Sequence, residues 1–258
     1  MSDYRKDELR DMRSKCMPED KMRTAPVVER LFIEIGFLFT RLFVKTKITP
    51  NQITWFWGIA LIFIPLLFLF NDPWLNIAGA IGWIIFISMD NTDGQVARYK
   101  GIYSKRGQFL DLVIHCITYP LLFFCIGLGQ YLTGGGMLEI ILALIAGGFM
   151  TLTAILRPLY NSISDVAIET TGGQELEGRM FGSERAYKMV RDVNPLTFVN
   201  VYVILLAVTI LNSVFGDPVF TIGQFSLTGL LPLFLSFYAA GFLLAFMIRV
   251  SMLYGKLK

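Results

Sequence analysis

A cluster of acidic residues interrupts the apolar sequence in the middle of this chain. Asp90 and Asp93 are three residues apart, and Asp111 and His115 are four apart, so each pair shares one face if its segment is helical. Carboxylate oxygens suit Mg²⁺ or Mn²⁺, and these ions in turn bind phosphate oxygens. The sequence therefore predicts a divalent-metal site formed by Asp90, Asp93 and Asp111.

Small, basic and polar residues accompany these carboxylates. Gly94 and Ala97 leave room for a bulky phosphate ligand, and Arg98 can balance its charge. Asn51 and Thr54 lie in the first turns of an apolar run, where helix capping does not explain them, so they are candidates to meet a ligand. Carboxylates near a membrane also serve proton or cation pathways, and this alternative stays open at this point.

The apolar content of the chain indicates what holds this cluster. Of the 258 residues, 54% are hydrophobic and 17% are charged, which excludes an ordinary soluble domain. The second apolar run is short, but it can continue as helix through Asp90 to Arg98. We predict an all-α integral membrane protein with six transmembrane helices and an N-terminal interfacial amphipathic helix. The spans are expected at about 53–70, 74–89, 108–132, 138–156, 196–215 and 227–248.

Basic residues are distributed asymmetrically about these runs. They precede the first run, follow the second, fourth and sixth, and are absent from loops 71–73, 133–137 and 216–224. By the positive-inside rule, both termini and the acidic stretch are expected to face the cytoplasm. The net charge of +3 then reflects attraction to the membrane surface, and we expect no nucleic-acid partner.

The chain divides into a charged N-terminal tail, residues 1–25, and a membrane domain, residues 26–258. Within the domain, residues 26–47 predict a helix in the membrane interface or packed on the cytoplasmic end of the bundle. Residues 159–195 predict a cytoplasmic loop. Basic residues in and beside this loop can form a phosphate pocket: Arg157, Arg185 and Arg191.

The acidic stretch resembles the signature of the CDP-alcohol phosphotransferase (CDP-alcohol phosphatidyltransferase) family. Seven positions match in order and spacing: Asp90, Asp93, Gly94, Ala97, Arg98, Gly107 and Asp111. The resemblance implies an enzyme that transfers a substituted phosphate from a CDP-linked donor to an alcohol acceptor and releases CMP, in phospholipid or related phosphodiester synthesis. It also implies Mg²⁺ or Mn²⁺ as cofactor, membrane lipids as surroundings and a homodimer as one form of assembly.

The resemblance also implies roles for particular residues. Asp90, Asp93 and Asp111 hold the metal. Six residues are expected to border the CDP group: Asn51, Thr54, Gly94, Ala97, Arg98 and Gly107.

The last position of the signature departs from the family. The family has an Asp that is taken to bind a second metal and deprotonate the acceptor, whereas this chain has His115, its single histidine. Three roles of His115 are open. Its imidazole can act as the base, because it is competent near neutral pH, or it can bind the metal as a softer ligand than carboxylate. Alternatively, the replacement of Asp by His blocks turnover. A histidine with a purely structural role is the fourth reading. We expect His115 to impair the family's usual chemistry, because nitrogen is a poorer ligand for Mg²⁺.

Other functions follow from the same residues. One is altered chemistry on another nucleotide donor, or hydrolysis. Another is a non-catalytic membrane protein that binds nucleotide. An ion or proton transporter is a third class, but the acidic residues cluster at one rim and the other spans carry no matching relay.

Overall fold

The chain is built almost entirely from helices. The computed structural model describes residues 2–17, 22, 25–163, 192, 194–216, 219–222 and 225–255. Its elements are α1 (Ser2–Cys16), α2 (Val27–Phe43), α3 (Pro50–Phe63) with a 3₁₀ extension (Ile64–Phe70), α4 (Pro73–Lys100), α5 (Lys105–Leu132), α6 (Met137–Ile163), α7 (Phe198–Phe215), β1 (Val219–Ile222), β2 (Phe225–Thr228) and α8 (Leu230–Tyr254).

Six helices are long and apolar enough to cross a membrane. They are Pro50–Phe70, Pro73–Lys100, Lys105–Leu132, Met137–Ile163, Phe198–Phe215 and Leu230–Tyr254. The predicted all-α membrane fold with six spans is confirmed, and the protein is an integral multi-pass membrane protein. The small antiparallel hairpin of β1 and β2 is an addition that the apolar pattern did not predict. Helix α4 continues without interruption past Asp90 and Asp93, as expected from the sequence.

Two compact units can be distinguished along the chain. The first contains Met1–Ile64 and Ile81–Ile114, and the second contains Pro65–Ala80 and His115–Lys258. One boundary falls inside α5, between Ile114 and His115. The first unit carries most of the residues that were singled out in the sequence.

In the first unit, α2 packs closely against α4. A Cβ on Gly36 would lie 2.7 Å from the carbonyl oxygen of Ser88, so glycine permits this approach. The Thr92 hydroxyl donates to the carbonyl of Gly36 over 3.0 Å, and the Thr40 hydroxyl donates to Oε1 of Gln95 over 2.7 Å. These buried hydrogen bonds fix α2 to the helix that carries Asp90 and Asp93.

The start of α3 is defined by a capping box. Thr49 accepts a hydrogen bond from the backbone N–H of Gln52, whose side chain accepts from the N–H of Thr49, and Pro50 occupies the first turn. This arrangement satisfies N–H groups that have no partner within the helix. It places Asn51 and Thr54 in the first turns of α3.

Aromatic packing dominates the second unit. The ring of Phe123 in α5 stacks on Phe234 of α8 at 5.9 Å and meets Tyr238 edge-on at 6.2 Å. The Tyr238 hydroxyl donates to the carbonyl of Pro195 over 3.0 Å, which satisfies this buried polar group. A Cβ on Gly147 of α6 would lie 2.7 Å from Cα of Pro120, so α5 and α6 are also in close contact.

Candidate active site

A pocket of about 260 Å³ lies in the first unit, where α3, α4 and α5 begin or end. It is lined by all six residues predicted to border the CDP group and by two of the predicted metal carboxylates: Asn51, Thr54, Gly94, Ala97, Arg98, Gly107, Asp93 and Asp111. The remaining lining residues were not singled out in the sequence: Pro50, Ile102, Tyr103, Ser104 and Gln108. Residues far apart in sequence thus meet at one pocket of mixed polar and apolar character.

The carboxylate of Asp93 is held in place by two donors from α3. The Thr54 hydroxyl donates to Oδ2 of Asp93 over 2.6 Å, and the indole Nε1 of Trp57 donates to the same oxygen over 3.1 Å. Trp57 is fully buried. Sequence reasoning missed Trp57, although its spacing of three residues from Thr54 places it on the same helix face.

The guanidinium of Arg98 is anchored by a main-chain acceptor. Its Nε donates to the carbonyl oxygen of Cys16, at the end of α1, over 2.8 Å. A Cβ on Gly94 would lie 3.4 Å from Nη1 of Arg98, so the absence of a side chain at Gly94 keeps this face of the guanidinium open towards the pocket. The sequence did not predict this contact with α1, because a residue of any type can supply a main-chain carbonyl as acceptor.

The first turn of α5 fits against Asn51. The hydroxyl of Ser104 accepts from the N–H of Gly107 over 3.2 Å, as an N-cap serine does. A Cβ on Gly107 would lie 2.6 Å from Oδ1 of Asn51. Glycine at this position therefore lets the Asn51 side chain reach the pocket next to α5.

Asp90 and Asp111, both in the first unit, have the geometry of part of a metal site. Each offers one carboxylate oxygen, and these two atoms lie within 4.8 Å of each other. Asp93, the third predicted ligand, accepts the two hydrogen bonds from α3. Carboxylates are suitable donors for a divalent ion. The assignment of individual ligands stays a prediction.

The ring of His115 is oriented by aromatic stacking. It lies on Tyr119, one turn along α5, with a centroid distance of 4.9 Å and an interplanar angle of 22°. Tyr119 stacks in turn on Phe198 of α7 at 5.7 Å. The plane of the imidazole is therefore set by rings that belong, like His115, to the second unit.

Three arginines were predicted to form a phosphate pocket: Arg157, Arg185 and Arg191. Arg185 and Arg191 lie outside the described residues, as does the side chain of Arg157. Their participation in the site stays a prediction.

Comparison with known proteins agrees with the geometry of the site. The family model for CDP-alcohol phosphatidyltransferase matches residues 47–255, which include the whole lined pocket and the group around Asp90. A search of curated proteins found no matching relative. Members of this family are transferases that act on phospholipid-type substrates, use CDP-alcohol donors and alcohol acceptors in membranes, and generally depend on divalent metal. Because the match covers most of the chain, this protein belongs to the CDP-alcohol phosphatidyltransferase family.

Proposed function

We propose that this protein transfers a substituted phosphate from a CDP-linked donor to an alcohol acceptor and releases CMP. The observation that carries the proposal is the single pocket that gathers Asn51, Thr54, Asp93, Arg98 and Asp111. It presents a guanidinium and amide and hydroxyl groups beside carboxylates, which is a suitable combination for a diphosphate accompanied by a divalent cation.

The two carboxylates of Asp90 and Asp111, close together in the first unit, fit such a cation. Mg²⁺ or Mn²⁺ would neutralise the charge of the donor's diphosphate and help to hold the diphosphate in line with the acceptor hydroxyl. Asp93 borders the same pocket and adds negative charge next to this group. We therefore propose that Asp90, Asp93 and Asp111 together create the cation site.

Side chains around the pocket bind and orient the donor. Arg98 faces an anionic group, and its tie to Cys16 restricts the movement of its guanidinium. Gly94 and Ala97 allow a ligand to approach the surface of α4, and Gly107 leaves room for Asn51. Positioning of this kind reduces the entropy that the reaction loses on reaching its transition state.

The transfer itself requires a proton acceptor. The acceptor oxygen forms a bond to the phosphorus that carries the donor's alcohol, the bond from this phosphorus to the bridging oxygen of CMP breaks, and the hydroxyl proton goes to a base. The resemblance to the family implies that this base is the Asp at the position of His115. A neutral imidazole nitrogen can accept the proton, and stacking on Tyr119 holds the ring for this purpose.

The same histidine supports a second candidate function. His115 stands four residues after Asp111, at the signature position where the family has a carboxylate, so nitrogen replaces a hard oxygen ligand. We infer that this substitution weakens the usual transfer reaction. The protein then binds the CDP donor with little turnover, or acts on a different nucleotide donor or by hydrolysis.

A panel of CDP-linked donors and alcohols, scored by CMP release with and without Mg²⁺ or Mn²⁺, tests the proposal. We expect metal-dependent release with at least one pair, and His115→Asp is expected to raise the rate by restoring a carboxylate. If the parent protein is active and His115→Asp abolishes its activity, His115 is the working base and the inferred impairment is wrong. If neither protein binds CDP in the presence of metal, the proposed function is wrong.

Three further predictions belong to the proposal as well. We propose that the pocket and both ends of this chain face the cytoplasm, as the distribution of Lys and Arg predicts. Arg157, Arg185 and Arg191 are proposed to bind a phosphate of the acceptor. A homodimer is the proposed assembly, and cross-linking in native membranes would test it.

A further inference from the structure

A second concave surface lies in the first unit, between α1 and α2, and shares no lining residue with the candidate active site. It encloses about 480 Å³. Three arginines, one glutamate and several apolar side chains line it, among them Arg10, Arg13, Arg41, Glu34, Leu31 and Leu38. We call this surface the α1–α2 groove. Its combination of cations and leucines requires an explanation that the transfer reaction does not supply.

Two ion pairs connect the helices on either side of the groove. Arg13 of α1 pairs with Glu34 of α2, and Glu8 of α1 pairs with Lys45, just beyond α2, at 3.7 Å. The order of the partners shows that α1 and α2 run in opposite directions. Arg10 lies between Glu8 and Arg13 along α1, so these pairs flank its position.

The cations of the groove exceed its acids. Glu34 is the one acidic residue among its described lining residues, and it is paired with Arg13. Among the residues that the structure describes, Arg10 and Arg41 have no ion pair, although both line the groove. An anionic group in the groove would therefore meet two guanidinium groups whose charge is not compensated by any acid in the described part of the chain.

The apolar side of the groove is open to the surroundings. Leu31 and Leu38 are 56% and 58% exposed, and they lie seven residues apart on α2, so they form one stripe along the helix. Leu42, 66% exposed, continues the stripe beyond Leu38. In a membrane protein, exposed leucines next to arginines match the two parts of a phospholipid, its acyl chains and its phosphate.

We propose that the α1–α2 groove binds a phospholipid with an anionic headgroup. The headgroup phosphate lies between Arg10 and Arg41, and an acyl chain lies along Leu31 and Leu38. A polar partner such as a phosphopeptide would leave the leucine stripe uncovered, whereas a lipid covers both surfaces. The site is independent of the proposed transfer reaction, because its residues lie outside the pocket that would hold the donor.

Binding of labelled phosphatidylglycerol to the purified protein in neutral detergent tests the proposal, with labelled phosphatidylcholine as the zwitterionic counterpart. The parent protein should prefer phosphatidylglycerol, and the double variant Arg10→Gln/Arg41→Gln should bind it about tenfold more weakly. The matched control, Lys15→Gln/Lys47→Gln, also removes two cations, but from exposed positions outside the groove. It should retain the parent affinity.

A variant that binds phosphatidylglycerol more tightly than the parent cannot be explained by misfolding. Glu34→Gln removes the acid from the groove and releases Arg13, so it should bind phosphatidylglycerol more tightly than the parent. Millimolar inorganic phosphate should displace the lipid only slightly, because it cannot use the leucine stripe.

Three results would overturn the proposal. The first is equal binding of the two lipids by the parent protein. The second is equal loss of binding in the arginine variant and the lysine control. The third is complete displacement of bound phosphatidylglycerol by millimolar inorganic phosphate. That result would identify the groove as a phosphate site and not a lipid site.

Discussion

The hydroxyl of Thr54 provides a direct test of how the pocket holds its carboxylate. Thr54 is buried and donates to Oδ2 of Asp93 over 2.6 Å, beside the indole of Trp57. Thr54→Val removes this donor but retains the branched shape of the side chain. We expect the variant to fold and to bind CDP more weakly, because Asp93 loses part of its orientation.

The magnitude follows from the kind of hydrogen bond that is lost. A hydrogen bond to a charged group contributes about 1.5–3 kcal/mol, and about 1.4 kcal/mol corresponds to tenfold in affinity. Trp57 remains as the second donor, and some of the loss also destabilises the protein without ligand. We therefore expect CDP binding to weaken by about tenfold.

Equilibrium titration of CDP in the presence of Mn²⁺ measures this change without requiring turnover. Thr40→Val is the matched control, since Thr40 is also buried and donates to a side chain of α4, Gln95, over 2.7 Å. It removes a hydrogen bond between neutral groups outside the pocket, so it should lower stability while CDP affinity is retained. If Thr54→Val binds CDP as well as the parent, or if both variants lose affinity equally, the proposed orientation of Asp93 by Thr54 is wrong.

Three further predictions concern single residues. Asp93→Asn keeps the shape of the side chain and removes a charge, so binding of Mn²⁺ and of CDP should weaken together in titrations; unchanged binding of both would contradict the cation site. Gly107→Ala brings a Cβ within 2.6 Å of Oδ1 of Asn51, so CDP affinity should fall, whereas Gly101→Ala, outside the pocket, should change stability alone. Burial raises the pKa of the Cys16 thiol to about 11, so its alkylation, followed by peptide mass spectrometry, should be slow at pH 8 and accelerate as pH rises; rapid reaction at pH 8 would contradict its burial.

The membrane fold could be predicted because its determinants are local. Each span is a long apolar run, and no proline follows Pro73 within α4, so the helix can extend past Asp90 and Asp93. The β1–β2 hairpin was not predicted, since its strands are short and lie in a loop between two apolar runs.

The candidate site could be predicted in part. The spacing of the signature residues within one segment predicted that they border one ligand, and four of them line the pocket: Gly94, Ala97, Arg98 and Gly107. The role of Trp57 could not be recognised, because a tryptophan in an apolar run is also an ordinary packing residue. The α1–α2 groove depends on contacts between helices, which a single sequence does not reveal.

The hydrogen bond between Arg98 and α1 determines how much of the chain the functional domain must include. Its acceptor is the carbonyl of Cys16, so any residue at position 16 that keeps the helix in place would preserve it. The family match begins at residue 47, after α1 has ended. A fragment cut at that point would retain every signature residue and still lose the partner of Arg98. The smallest piece that preserves the site is therefore set by the main chain of a helix outside the family match.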